Sequence, residues 1–139
     1  MRAGRAIFHL DGYPGVGKLT VAHAMQHLAE AQGERLVVVD NHLTGNPVLS
    51  LLDLTTGPPP PEAWRLVYEI RDVVVRAVEV HSPTEWSFVF TNVLTIGDDS
   101  DVGAVDRLRR LAGARRCPYV HVVLTCDIDE LVCRGTSAG

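Results

Sequence analysis

The chain has 139 residues, of which 46% are hydrophobic and 22% are charged, and its formal net charge is −4. This length suits a single domain with its own core, and the hydrophobic share excludes a disordered chain. No apolar run approaches the ~20 residues of a membrane-spanning helix, and the mild acidity argues against a nucleic-acid binder, whose surface is usually basic.

The first third of the sequence predicts a strand, a glycine-rich turn, a helix and a second strand. The apolar run 6–10 indicates a buried strand, and 17–31 has the spacing of an amphipathic helix that ends before Gly33. Residues 36–39 predict another buried strand, which Asp40 closes. A strand–helix–strand order of this kind places its strands in parallel. His9 within the first strand is expected to be a core residue and not a ligand.

The middle of the chain predicts irregular structure and then a long helix. Residues 43–56 contain Asn46-Pro47 and predict a loop with at most a short helix over 48–54. Four consecutive prolines at 58–61 cannot lie inside a helix, so we expect a stiff connector whose last proline begins the next helix. Residues 62–80 show the strongest helical periodicity, and the inward positions are predicted to be Ala63, Leu66, Val67, Ile70, Val73, Val74, Ala77 and Val78.

The last third predicts two further strands, each followed by a helix. The strands are predicted at 87–91 and 119–125, and the helices at 103–112 and after a capping box at 127–130. The loop 93–101 carries Asp98, Asp99 and Asp101, which favour solvated acids before a helix over a metal site. The arginines between 107 and 116 are expected at a solvated helix end. The three cysteines match no zinc-ligand spacing, and with the absence of a signal-peptide pattern they favour a cytoplasmic protein.

One motif carries a specific chemistry. Residues 12–18 fit the pattern G-x-x-x-x-G-K, most of a Walker A motif, between a predicted strand and a predicted helix. Glycines let backbone N–H groups turn toward phosphate oxygens, the helix N-terminus adds its positive end, and the lysine adds a mobile charge. The predicted phosphate-binding residues are Gly12, Tyr13, Pro14, Gly15, Val16, Gly17, Lys18, Leu19 and Thr20.

The motif departs from the full pattern directly after the lysine. A complete Walker A motif has Ser or Thr there, and its hydroxyl helps to hold Mg²⁺. Leu19 occupies this position and has no oxygen, while the hydroxyl comes one residue later, at Thr20. Thr20 is therefore the candidate metal ligand. The third predicted strand adds no Asp or Glu that could assist it.

The string GYPGVGKLTVA, the acid at the end of VVVDNH and the strand FVFTN together resemble a branch of the P-loop NTPases. This branch contains the shikimate-, gluconate- and adenylate-kinase-like proteins, along with ATP-binding relatives labelled AAA-family ATPases. The resemblance spans residues 6–134 and implies a three-layer α/β fold with a mainly parallel sheet of about four strands. It also implies ATP and Mg²⁺ as cofactors.

The resemblance assigns roles to particular positions. Lys18 would stabilise the phosphates, and Asp40 would orient or deprotonate an acceptor hydroxyl, although a plain capping role for Asp40 is an equal alternative. His42, Asn92 and Arg134 are further candidates for contacts with the acceptor, with an exposed loop histidine as the alternative for His42. Arg134 would be the first arginine of a lid.

The implied function is ATP-dependent phosphoryl transfer to a small hydroxyl-bearing acceptor. A nucleotide-binding protein without catalysis, or a simple NTP hydrolase, is the alternative. Residues 1–139 would form one P-loop domain that lacks the lid and the last strand of such kinases, because the small polar residues from Gly135 onward predict the end of the last helix.

Overall fold

Strands and helices alternate along most of the chain. The computed structural model describes residues 5–93 and 99–137, and the side chains of 99–102 and 134–137 lie outside this description. The described strands are β1 (Ile7–Gly12), β2 (Leu36–Val39), β3 (Ser87–Val93) and β4 (Tyr119–Val123). The described helices are α1 (Lys18–Ala31), α2 (Asn41–Leu49), α3 (Pro61–His81), α4 (Asp99–Ala114) and α5 (Ile128–Ser137).

The four strands form one parallel sheet in the order β2-β3-β1-β4. β1 is an inner strand, with Ile7 opposite Phe88 of β3 on one side and opposite Tyr119 of β4 on the other. β2 pairs with β3, so that Val39 lies opposite Phe90. Because all strands run the same way, the loops after β1, β2 and β3 leave the same edge of the sheet, as predicted.

Two apolar cores cover the two faces of the sheet. On one face Ile7 and Phe90 pack with Val78 of α3 and Leu111 of α4. On the other face a smaller core joins α1 to the strands through Leu10, Ala22, Leu36 and Val89. Successive strand residues point to opposite faces, which is why one sheet can serve both cores. The predicted three-layer α/β fold is confirmed.

The long helix α3 begins as its prolines predict. Pro60 is the N-cap and Pro61 the first helical residue, where a missing N–H costs nothing. Val67 is fully buried, but Leu66 is 50% exposed and Val73 is 60% exposed, so the predicted inward face was too wide. These two residues lie about 100° around the helix from Val67 and Val74, beyond the stripe that contacts the sheet.

The predicted loop after β2 is wrong, because residues 41–49 form α2. This helix contains Pro47 and begins directly after its N-cap Asp40. Contacts distant in sequence stabilise it: the buried Thr44 accepts a 3.1 Å hydrogen bond from Nε of Arg71 on α3. The short helix expected over 48–54 therefore lies too late in the sequence.

Several element ends also differ from the predictions. β1 and β3 extend to Gly12 and Val93, because these residues pair with each other. α4 begins at Asp99, inside the predicted loop, while β4 ends at Val123, two residues early. α5 continues through Gly135 to Ser137, so the predicted helix end at Gly135 is wrong. The acidic cluster at 98–101 lies outside the residues whose side chains are described.

Arg115 contradicts the prediction of a solvated basic helix end. Its residue is 7% exposed, and its guanidinium donates to the carbonyl oxygens of Val78 and Pro83, both at 2.7 Å. It also lies 5.0 Å from the ring centroid of Phe88. Arg115 therefore joins the end of α4 to the α3–β3 connection. None of the described helices has the length and apolar character needed to cross a membrane.

Candidate functional site

The glycine-rich loop leaves the carboxyl end of the inner strand β1. At Gly12 a β-carbon would lie 2.8 Å from the carbonyl oxygen of Leu124, so no larger residue fits there without displacement of the backbone. At the other end of the loop Gly17 has a φ of 100°, a value that favours glycine, and it is the N-cap residue of α1. The two glycines thus fix where the loop begins and where the helix starts.

The N-terminus of α1 is open toward the loop. Within the described chain, no side chain caps this end, and its first turn contains no acidic residue. The first backbone N–H groups of a helix lack partners inside the helix and carry partial positive charge. This arrangement is suited to an anion such as a phosphate group.

Lys18 is the only lysine in the sequence, and it occupies the motif position. Its Nζ donates hydrogen bonds to the carbonyl oxygens of Gly12 at 2.8 Å and Tyr13 at 3.0 Å, so the side chain folds back over its own loop. Burial lowers the pKa of Lys18, and the carboxylates of Asp11 and Asp40 oppose that shift. A positive charge is thus held at the centre of the loop.

A cleft of about 390 Å³ lies over the loop and the start of α1. Leu19 lines this cleft and is 39% exposed, so an apolar side chain stands where the full motif has a hydroxyl. Thr20, which carries the nearest hydroxyl in the sequence, lines the same cleft. The other lining residues are Pro14, Gly15, Gly17, Lys18, Asp40, Asn41, His42, Thr91 and Val93.

Asp40 lines three neighbouring clefts and cavities. Besides the loop cleft, it lines a wider cleft of about 680 Å³ between α1 and α2 and a small cavity beside α3 and α4. One carboxylate oxygen accepts from the Thr91 hydroxyl at 2.9 Å, and the other lies 2.9 Å from Nδ1 of His42. Asp40 also occupies the N-cap position of α2, but its side chain makes no capping hydrogen bond there.

Its surroundings keep the Asp40 carboxylate ionised. Partial burial alone would raise the pKa of Asp40, but hydrogen bonds from His42 and Thr91 outweigh this effect, and the net pKa is below its ordinary value. An ionised carboxylate at this position can accept a hydrogen bond from an incoming hydroxyl group.

The remaining predicted residues are placed differently. The His42 side chain is 67% exposed, as expected, but it belongs to the first turn of α2 and not to a loop. Asn92 does not line the loop cleft, but it lines the small cavity beside Asp40 and donates through Nδ2 to Nε2 of His9 at 2.8 Å. His9 is fully buried and hydrogen-bonded, as expected for a core residue. The side chain of Arg134 lies outside the described residues.

Two residues of the site were missed. Thr91 is 1% exposed and binds the Asp40 carboxylate, while Arg71 lines the cavity beside Asp40 together with Thr44. The position of Thr91 at the end of a predicted strand was an available signal. No signal in the sequence marked Arg71. A charged residue on a long amphipathic helix is expected to face solvent, and only the position of α2 shows that this one contacts Thr44.

A parallel sheet with a phosphate-type loop after an inner strand is the architecture of the kinase-like P-loop proteins, and the solved structures agree. A proposed kinase from Chloroflexus aurantiacus superposes with a TM-score of 0.64 and 17% identity, over 99% of this chain and 68% of that one. A sugar kinase from a Janibacter species superposes with a TM-score of 0.59 and 14% identity, over 96% of this chain and 67% of that one. The Kti12 protein of Chaetomium thermophilum, solved in complex with ADP-AlF3, superposes with a TM-score of 0.59 and 17% identity, over 91% of this chain and 63% of that one.

At these identities the comparison establishes the fold. The chain has the kinase-like P-loop fold. No protein-family model and no curated protein sequence matches it.

Proposed function

We propose that this protein is an ATP-dependent kinase that transfers a phosphoryl group to a small hydroxyl-bearing acceptor. The observation that carries the proposal is that Lys18 and Asp40 line one cleft. A cation for the phosphates and a carboxylate for the acceptor hydroxyl are the two charges that this transfer needs, and the site holds both. The fold shared with the neighbouring kinase structures supports the same conclusion.

The loop residues bind and orient the triphosphate in this proposal. Backbone N–H groups from residues 15–17 and from the first turn of α1 donate to phosphate oxygens. Lys18 exchanges its bonds to the carbonyl groups of Gly12 and Tyr13 for bonds to the outer phosphates. Charge that develops on the transferring group is then stabilised by a cation that is already in place.

Asp40 positions the acceptor. Its carboxylate accepts the hydrogen bond of the acceptor hydroxyl and so directs an oxygen lone pair at the phosphorus, while Thr91 and His42 hold the carboxylate in place. The cavity beside Asp40 also contains the guanidinium of Arg71, whose Nε is bound to Thr44. Its charge favours an acceptor that carries an anionic group as well as a hydroxyl.

Magnesium is the expected companion of the nucleotide, because it neutralises phosphate charge. Mg²⁺ takes oxygen ligands and keeps several waters, so few protein ligands suffice. Thr20 lines the cleft and its hydroxyl would hold the ion, whereas Leu19 has no oxygen to offer. The donor set therefore fits Mg²⁺, with fewer protein ligands near the lysine than in a complete motif.

The first test is nucleotide binding. Calorimetric titration with ATP, with and without Mg²⁺, should show one site in the wild type and at least about tenfold weaker binding in Lys18→Ala, since one charge-assisted contact is worth ~1.5–3 kcal/mol. Arg65→Ala removes an exposed cation from α3 and serves as the matched control. Equal binding by wild type and Lys18→Ala would contradict the role of the loop.

The single lysine allows a second, direct test. An amine-acylating reagent can modify only Lys18 and the α-amino group, and mass spectrometry separates the two. ATP should slow the modification of Lys18 and leave that of the α-amino group unchanged. Protection of neither amine at saturating ATP would place the nucleotide elsewhere.

The third test is transfer itself. ADP release should depend on one class of compound within a panel of sugars, polyols, hydroxy acids and nucleosides, and Asp40→Asn should lower the rate at least about 100-fold, as for lost acid–base catalysis, while ATP binding persists. ADP release that no acceptor stimulates would favour the hydrolase. Binding without any turnover would favour the non-catalytic alternative, for which the apolar Leu19 in the cleft is the supporting observation.

A further inference from the structure

Two histidines and an aspartate meet on the sheet face that packs against α3 and α4. His9 and Asp11 are two residues apart on β1 and therefore share a face, and His121 of β4 lies directly opposite His9 in the strand pairing. The two imidazole rings stack with centroids 4.5 Å apart and an interplanar angle of 13°. None of the three residues lines the cleft over the phosphate loop.

The three side chains offer a set of metal ligands. Oδ2 of Asp11 lies 3.4 Å from Nε2 of His121 and 4.0 Å from Nε2 of His9, and one ligand atom from each residue lies within 4.8 Å of the others. Ligands of a tetrahedral ion at ~2.0–2.1 Å are ~3.3 Å apart. We propose that His9, Asp11 and His121 bind one transition-metal ion of the Zn²⁺ class.

Because the Asp11 carboxylate is buried, a positive charge beside it is favourable. His9 is fully buried and the Asp11 side chain is 3% exposed, whereas the His121 side chain is 30% exposed. A carboxylate taken out of water requires a charged or strongly hydrogen-bonding partner. Oδ1 of Asp11 accepts from the N–H of Gly12 at 3.1 Å, but Oδ2 has only the long 3.4 Å contact with His121 among the described hydrogen bonds. An ion at this oxygen would add a positive charge to that of Lys18, which already interacts with the Asp11 carboxylate.

The neighbours of His9 hold its ring in the state that a metal requires. The Asn92 amide donates to Nε2 at 2.8 Å, so that the proton of the neutral ring is on Nδ1 and faces the Tyr119 hydroxyl, also at 2.8 Å. A second hydrogen bond of this kind commonly orients a metal-bound histidine.

Access and the fourth ligand follow from the same arrangement. β4 is an outer strand of the described sheet and the His121 side chain is partly exposed, so its ring has room to move toward the other two ligands. Metal binding at Nε2 of His9 requires the Asn92 amide to release that lone pair. A half-turn of the amide does so and places its carbonyl oxygen, a further ligand atom, next to Nε2. Two imidazoles favour Zn²⁺, Co²⁺, Ni²⁺ or Cu²⁺ over Mg²⁺. This site is therefore distinct from that of a nucleotide-bound Mg²⁺.

The experiment uses the full chain without an affinity tag, stripped with a chelator and with its cysteines alkylated. Titration with Co²⁺ should give the visible absorption of a tetrahedral ion at a 1:1 ratio, and Zn²⁺ should displace it. His121→Gln should weaken Co²⁺ binding at least about tenfold, whereas His27→Gln, at an exposed histidine of α1, should bind as the wild type does. Absence of one-to-one binding, or equal binding by His121→Gln, would overturn the proposal.

A second measurement does not depend on the folding of any variant. X-ray absorption of the Zn²⁺-loaded wild type, without alkylation, should show nitrogen and oxygen ligands near ~2.0–2.1 Å, and a sulfur ligand near ~2.3 Å would assign the ion to the cysteines instead. Zn²⁺ at 100 times its Kd should also raise the Tm of the wild type by several degrees. Neither result requires ATP, so failure of this proposal and failure of the proposed kinase activity are distinguishable.

Discussion

A buried arginine shows how one side chain can fix the relation of several elements. The Arg115 guanidinium at the end of α4 also lies within hydrogen-bond distance of the carbonyl oxygens of Ser82 and Trp86, at 3.4 and 3.2 Å. The bond to Val78 satisfies one of the last four carbonyl groups of α3, and the others hold the connection between α3 and β3. Sequence alone placed Arg115 among solvated arginines, because nothing local separates it from Arg110 or Arg116.

Loss of this guanidinium should destabilise the protein strongly. We expect Arg115→Ala to lower the free energy of unfolding by about 2–4 kcal/mol, since several charge-assisted hydrogen bonds to buried carbonyls disappear together. Arg110→Ala, at an exposed position of the same helix, should change it by less than about 0.5 kcal/mol. Urea unfolding of the two variants checks this, and similar losses for both would contradict it.

Asp40 should make stability depend on pH in the acid range. Because folding lowers its pKa below the ordinary 3.8, the carboxylate contributes stability that is fully present above pH 3.8 and is lost as the pH falls through the folded-state value. Asp40→Asn should therefore be about 1 kcal/mol less stable than the wild type at pH 6, and the difference should shrink by pH 3. Urea unfolding at both values measures it; a difference that stays constant would show that the charge is immaterial.

At the level of elements, the sequence predicted the strands and helices correctly where a strong local pattern was sufficient to form them. The buried apolar runs predicted the four strands, and Pro61 and Gly17 marked the starts of α3 and α1. The prediction missed α2 because this helix is stabilised by contacts with α3. Thr44 accepts a hydrogen bond from Arg71, which lies 27 residues away in the sequence. In the site, the motif predicted the loop and the family resemblance suggested Asp40, but Thr91 and Arg71 join them only through the paired strands and the packed helices.

A matched pair of valines tests which face of α3 is buried. Val67→Ala removes two methyl groups from a fully buried side chain and should cost about 2 kcal/mol of unfolding free energy. Val73→Ala makes the same change at a side chain that is 60% exposed and should cost less than about 0.5 kcal/mol. Thermal or urea unfolding compares them, and an equal cost would mean that Val73 is covered in solution.

For the whole molecule, the order of the strands sets a gradient of local stability. β1 and β3 each have a neighbour on both sides, whereas β2 and β4 are the outer strands of the described sheet. Backbone amides that open only on global unfolding exchange most slowly. Hydrogen exchange followed by mass spectrometry should therefore find the strongest protection in peptides from β1 and β3. Faster exchange in β1 than in β4 would contradict the strand order.

The inner position of β1 has a consequence for biosynthesis. Ala6, at the start of β1, contacts Ser87 across 81 residues of sequence, and His9 contacts Tyr119 across 110. A ribosome adds ~5–20 residues each second, so this apolar strand waits several seconds for its first partner. Until then the nascent chain exposes the strand that carries the phosphate loop, and the loop takes its final shape only once β3 and β4 have emerged. The nucleotide binding that we propose would therefore require nearly the whole described chain to have been made, so that ATP would not act as a template for early folding.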